Sequence, residues 1–277
     1  MKALRPYFIT KFDIMTYDNT CKYLAENFST DFASWLLGKP IPLTKLEPTE
    51  LSAEPIRADS LIFLESSEII LHLEFQTSTD ENMALRMLDY WVRLHRKFPA
   101  KKIHQTVIYL KPTNSPLAYQ NSFALDQTNH QFNTIRLWEQ PTATLQEYQG
   151  LWPLVILSQT PNPEETLRQV AQQIETIADK NIQSNIAAAT YIISGLTLNK
   201  EIIHRLLRTE IMKESVTYQE ILLEGEAKGE AKGEARGKAE AAKQIALNML
   251  NSGIAVVLVA QFTGLSLEQI QKLQTLE

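Results

Sequence analysis

The stretch that most constrains this chain runs from Arg57 to Gln76, where two runs rich in Ile, Leu and Phe flank a polar tip, Glu65-Ser66-Ser67-Glu68. Such runs around a short polar turn read as a β-hairpin. If the turn centres between Ser66 and Ser67, Asp59 faces Glu74 directly. Side chains alternate between the two faces of a strand. Asp59, Leu61 and Phe63 then share a face with Ile70, His72, Glu74 and Gln76. Two carboxylates side by side in an apolar hairpin repel each other, and a divalent cation between them removes the repulsion and supplies a Lewis acid. Taken alone, the pair fits better the common case of an Asp at a strand start and a Glu on an exposed sheet edge. A slip of one residue would send Glu74 to the other face, so the pairing depends on the turn.

The elements around the hairpin follow from periodicity. Cys21, Leu24, Ala25, Phe28, Phe32, Trp35 and Leu36 recur at helical spacing and predict a helix over 18–37, closed by Gly38 and blocked by Pro40 and Pro42. Glu26 lies on it, either as solvated surface or as a further member of the acidic cluster. After the hairpin, Ser78-Thr79-Asp80-Glu81 has the form of a capping box. It predicts a helix from Ser78 to about Phe98, with Met83, Met87, Tyr90, Leu94 and Phe98 as its apolar stripe. Arg86, Arg93 and Lys97 form a second, basic stripe on this helix, with Arg96, Lys101 and Lys102 close behind. That stripe is either a solvated face or the rim of a groove that meets DNA phosphates. Residues 102–110 read as a strand rich in β-branched residues, 118–124 and 131–138 as further strands, and 150–158 as a buried apolar segment.

The C-terminal half changes character. Asn162-Pro163-Glu164-Glu165 is a helix start, with helices expected at about 163–179, 183–195 and 198–213. Residues 224–240 repeat Gly-Glu-Ala-Lys, with glycine at 225, 229, 233 and 237. Glutamates gather on one side of such a segment and lysines roughly opposite, which suits a solvated spacer or a pairing of two chains through their tails, as a homodimer. Residues 242–277 read as short helices broken at Ser252-Gly253 and Thr263-Gly264, a layout like a helix-turn-helix. With Lys243 and Lys272 as its cations, packing or oligomerisation is expected of this unit in preference to DNA reading. The expected division is a lead at 1–15, an α/β domain at 16–160, a helical extension at 161–223, the repeat at 224–241 and the small helical unit at 242–277.

Composition narrows the function classes. Charged and hydrophobic fractions of 21% and 44% are ordinary for a globular protein of 277 residues. A net charge of −5 gives no whole-chain field that draws nucleic acid, so binding must rest on a local patch. Cys21 is the only cysteine, which excludes an intrachain disulfide and a Cys-rich zinc site and fits a cytoplasmic chain. The longest apolar run near the C-terminus, Ile254–Ala260, is too short to span a bilayer, and residues 1–20 lack the apolar core of a signal peptide. The five histidines show no ligand spacing. His72 shares the face of Glu74, as a core histidine or as a phosphate contact or proton carrier.

Asp59, fourteen intervening residues, then Glu74-Phe75-Gln76 across a hairpin resembles the Asp…(Asp/Glu)-x-Lys motif of the PD-(D/E)XK nuclease superfamily. The predicted order of helix, two strands, helix and strand resembles its core. More narrowly, Arg57-Ala58-Asp59-Ser60, His72-Leu73-Glu74-Phe75-Gln76 and Arg86-Met87-Leu88-Asp89-Tyr90 are similar to the Rpn (recombination-promoting nuclease and transposase) branch, as are the repeat and the terminal helical unit. The branch commonly carries glutamine for the motif lysine, as at Gln76; Ala58 stands where the superfamily often has proline. The resemblance implies an α/β, restriction-endonuclease-like mixed sheet flanked by helices, with an α-helical C-terminal extension. It implies a Mg²⁺- or Mn²⁺-dependent DNA endonuclease of recombination or transposition, with Asp59 and Glu74 as metal ligands and Gln76 as the third catalytic position. The competing class is a catalytically silent DNA-binding or oligomeric scaffold that keeps the nuclease fold.

Overall fold

The structure, a computed structural model, describes residues 11–46, 61–207, 241–242, 244–250, 255–265 and 270. Asp59 and the repeat at 224–240 fall outside the described residues. The chain forms two compact units, Met1–Ile221 and Leu222–Glu277.

The larger unit opens with α1 (Lys11–Asn27) and α2 (Ser29–Leu37). A single helix was predicted over this span; the chain instead turns at Phe28. Gly38 ends α2 in the left-handed region (φ 71°), with its N–H on the Ser34 carbonyl, and the two prolines keep the chain from resuming the helix. A short β1 (Thr44–Lys45) precedes the hairpin strands β2 (Leu61–Glu65) and β3 (Ile69–Gln76). The helix α3 (Met83–Lys97) then crosses to β4 (Lys102–Tyr109), which lies parallel to β3. A small hairpin, β5 (Ser122–Leu125) and β6 (Thr128–Gln131), intervenes before β7 (Asn133–Arg136) joins β4 in parallel. The main sheet has the order β1-β2-β3-β4-β7 and is mixed, consistent with a restriction-endonuclease-like fold.

Three local expectations are corrected. The hairpin turn does not centre between Ser66 and Ser67. Ser66 N–H donates to the Ile69 carbonyl (3.0 Å), and the Ser66 hydroxyl accepts from the N–H groups of Glu68 and Ile69 (both 3.3 Å). The serine side chain thus starts the turn at its own position. The ladder that follows sets Leu61, not Asp59, opposite Glu74. The shift is by two residues, so the predicted face of Ile70, His72 and Glu74 is preserved. Secondly, α3 begins at Met83. Asp80 captures Asn82 N–H (2.9 Å) and holds the chain in a turn before the helix, so Ser78 caps nothing. Thirdly, the two strands predicted at 118–124 and 131–138 resolve into a 3₁₀ turn at Pro116–Tyr119, the β5–β6 hairpin and β7. Asp126 turns that hairpin at φ 50°, a conformation its short polar side chain tolerates.

The sheet is covered on both faces. Leu71, Leu73 and Phe75 of β3 join one core with Leu24, Phe32, Leu154 and Val155, and the helices α4 (Pro163–Glu175), α5 (Lys180–Ser194) and α6 (Lys200–Leu206) complete it through Leu167, Val170, Ile186, Ile193 and Ile203. Each such fully buried side chain contributes about 1.5–3 kcal/mol. On the opposite face Ile70 and Phe63 pack under Tyr90 and Leu94 of α3. The segment expected at 150–158 is buried as predicted, as a 3₁₀ turn and the short helix Trp152–Val155.

The smaller unit has its own core. Helical residues 244–250 bring Ala246 against Val259 of α7 (Val256–Thr263) and Ile270. Gly264 closes α7 at φ 70°, which fits the predicted break.

Gly150 fixes how α2 meets the turn before Trp152. Its N–H donates to Asp31 Oδ2 (2.7 Å), and a Cβ there would overlap Cβ and Cγ of Phe28. Gly150→Ala should therefore cost about 1–3 kcal/mol of unfolding free energy, measured as a lower denaturation midpoint with unchanged slope.

Candidate functional site

Glu74 lies on the central strand, paired to Leu61 of β2 on one side and Val107 of β4 on the other. It is 0% exposed. The reading of this glutamate as a sheet-edge residue is thereby excluded. An uncompensated carboxylate so placed costs several kcal/mol, so its neighbours decide whether the strand can hold it. Two donors converge on Oε2: Gln76 Nε2 at 3.3 Å and Arg86 Nη2 at 3.4 Å. Gln76 is on the same face two residues along, as the alternation requires. Arg86 comes from the first turn of α3. Its Nη1 lies 3.2 Å from Asp80 Oδ2, so one guanidinium bridges a buried carboxylate and the acid of the turn that precedes its helix.

The predicted basic stripe divides accordingly. Arg86 turns into the site. Arg93 Nε contacts both oxygens of Asp89 one helical turn back (3.0 and 2.9 Å). Lys97 Nζ sits 5.4 Å from the centroid of the Phe98 ring. Glu26 is held by Lys45 on β1 (3.5 Å), and α1 packs on the face of the sheet opposite Glu74.

A chain of hydrogen bonds approaches Glu74 from beneath. The Gln105 amide nitrogen donates to the Met87 carbonyl and to His72 Nδ1, both at 2.8 Å. An amide nitrogen only donates, so Nδ1 accepts and the neutral ring carries its proton on Nε2. That nitrogen is buried without a hydrogen-bond partner among the described residues and lies 3.8 Å from Glu74 Oε1. The other end of Gln105, Oε1, receives His130 Nε2 of β6 at 2.7 Å. Burial pushes His72 below the ordinary histidine range, opposed by the nearby Glu74 carboxylate. The Tyr90 ring stands edge-on to His72 (5.2 Å), and burial followed by the Glu74 charge pushes its hydroxyl up to about 12.

Gln105 and Asp80 are the members of this site that the sequence reading missed. Gln105 had a signal: it is a polar residue inside an otherwise apolar strand, where a buried side chain must find partners. Asp80 was legible only as part of a cap.

Among the described residues no three His, Cys, Asp or Glu side chains converge on a metal position. The donors present are nevertheless of the kind that Mg²⁺ or Mn²⁺ takes. Mg²⁺ is commonly held by one or two carboxylates, with waters and substrate phosphates filling the shell, and Glu74 is a buried oxygen donor whose charge is already matched by a cation.

The helical C-terminal unit has an independent match. Residues 239–275 fit the model of the C-terminal HTH domain of the Rpn/YhgA-like nuclease family, which supports membership of that family. The match bears on the composition-based expectation for this unit, since a helix-turn-helix suggests DNA binding. Neither the curated proteins nor the solved structures returned a match to the chain. No helix among the described residues is long and apolar enough to cross a membrane.

The environment of His72 sets a pH dependence. The unfolded chain takes up a proton on this ring near the ordinary value of about 6.5, whereas the folded ring resists it. Stability is thus complete above that range and falls as the pH drops through it. His104 and His130 are also lowered by burial and act in the same direction. Melting curves of metal-free protein between pH 5 and pH 8 should show this loss on the acid side, and His72→Gln should flatten part of it.

Proposed function

We propose that this chain of the Rpn/YhgA-like nuclease family acts as a metal-dependent DNA endonuclease that hydrolyses phosphodiester bonds, in the setting of recombination or transposition that the family resemblance implies. The observation that carries the reading is a fully buried Glu74, two residues before Gln76 on the central strand of an endonuclease-like sheet. A glutamate that serves only packing has no reason to lie there with an amide and a guanidinium aimed at one of its oxygens. Glu74 and Asp59 are the proposed ligands of Mg²⁺ or Mn²⁺. When bound, such an ion supplies a Lewis acid that lowers the pKa of a coordinated water and stabilises charge on phosphoryl oxygens.

The residues of the chain do the rest. Gln76 holds Glu74 Oε2 by donating from its amide nitrogen. Arg86 offsets the buried negative charge. The helix-turn-helix domain at 239–275 provides the contact with DNA, which the net charge of −5 does not provide by itself. The tail, with its alternating glutamate and lysine columns, is the proposed site of any self-association.

Plasmid nicking tests the assignment. Wild-type protein should nick supercoiled DNA in Mg²⁺ or Mn²⁺ and not in chelator. Asp59→Ala and Glu74→Gln should each reduce nicking to background while circular dichroism stays unchanged. Cutting that survives in both variants removes these two residues from the chemistry. DNA binding without any cutting favours the scaffold reading, for which the neutral Gln76 is the motivating feature.

A further inference from the structure

The proposed chemistry leaves one charge unaccounted for. Position 76 of this chain carries a neutral amide where the motif that it resembles carries a lysine. We propose that Arg86 takes over this positive charge from the helix side, acting on Glu74 as a positioning residue.

Three observations carry the assignment. Gln76 Nε2 and Arg86 Nη2 reach the same oxygen, Glu74 Oε2, at 3.3 and 3.4 Å. The amide from the strand and the guanidinium from the helix therefore occupy adjacent places around one acceptor. The guanidinium is also fixed from its far side by Asp80 (3.2 Å), whose second oxygen is spent on the turn at Asn82. Finally, Arg86 Nε is buried with no hydrogen-bond partner among the described residues. A guanidinium on a solvated helix face would leave no donor buried in this way, so Arg86 is held inward by the two carboxylates.

The consequence is an incompatibility between positions 76 and 86. A lysine at 76 would bring a second cation to an oxygen that already faces one, and at such distances like charges in a buried setting repel strongly. A neutral hydrogen-bonding residue at 76 and a cation at 86 form one solution; a cation at 76 and a neutral residue at 86 form the other. Either solution leaves Glu74 with one positive neighbour. With both cations a divalent ion would have to approach against excess positive charge, and with neither the buried carboxylate stands uncompensated.

A charge-relocation cycle on the full chain tests this, using wild type, Arg86→Gln, Gln76→Lys and the double variant. Two readouts are needed because the metal-affinity part rests on the proposed function. The first is the melting temperature without metal. Each single variant should melt lower by several degrees, on the order of 5 °C, and the double variant should regain at least half of the larger loss. The second is Mn²⁺ affinity by calorimetry or paramagnetic relaxation. Arg86→Gln should bind about tenfold more tightly and Gln76→Lys about tenfold more weakly, with the double variant near wild type. If the losses in melting temperature simply add, or Gln76→Lys alone is as stable as wild type, the charge has not moved to Arg86 and the inference fails. If the melting temperatures show rescue while no protein binds Mn²⁺, the assignment of Arg86 stands and the metal reading of Glu74 falls.

Discussion

The larger unit is arranged around a charge that water cannot reach. Glu74 is on a strand covered on both faces and hydrogen-bonded along both edges, the worst place in the sheet for a carboxylate. Burial of one ion of a pair without the other is strongly destabilising, so the fold must deliver a partner. It does so with α3, whose first turn carries Arg86 over the end of β3. The crossover from β3 to β4 thus has a second task besides linking parallel strands. Its first residues form the Asp80 turn, which delays the helix and fixes the far side of the guanidinium. The apolar face of the same helix, with Tyr90 and Leu94, then closes the sheet over His72.

Much of this was legible in the sequence because it rests on periodicity. The alternation along Ile69–Gln76 predicted which residues share a face, and that prediction survived an error in the turn. The error arose because the Ser66 hydroxyl, not the centre of the polar run, begins the turn. Side-chain hydrogen bonds to neighbouring backbone leave no mark on hydrophobic periodicity. Asp80 repeats the lesson at the start of α3, where a well-formed capping pattern lost to a local turn. Long-range pairings were the least legible of all. Nothing in the spacing of residues 72, 105 and 130 announces one hydrogen-bonded line, since three different strands bring them together. The basic stripe on α3 was correct as a pattern, yet a pattern of cations does not say which of them face acids. Arg86 and Arg93 both do.

The two units divide the chemistry in a way that composition alone obscured. The acidic, buried site belongs to the larger unit, and the segment matched to a helix-turn-helix belongs to the smaller one. The matched segment carries only Lys243 and Lys272 as cations, so bulk charge does not mark it as a DNA-binding unit in the sequence. Its independent core of Ala246, Val259 and Ile270 gives that shape a basis within the unit.

The line from His130 through Gln105 to His72 has a mechanical meaning. His130 belongs to an exposed hairpin that lies outside the main sheet, and its ring leans on Trp91 of α3 and on Phe132. Gln105 has two ends, one tied to that hairpin and one to the ring beside Glu74, and it cannot turn over without breaking both. One amide side chain therefore joins a peripheral ribbon to the ring beside the buried carboxylate, and the hydrogen-bonded line ends at that ring, 3.8 Å short of Glu74 Oε1.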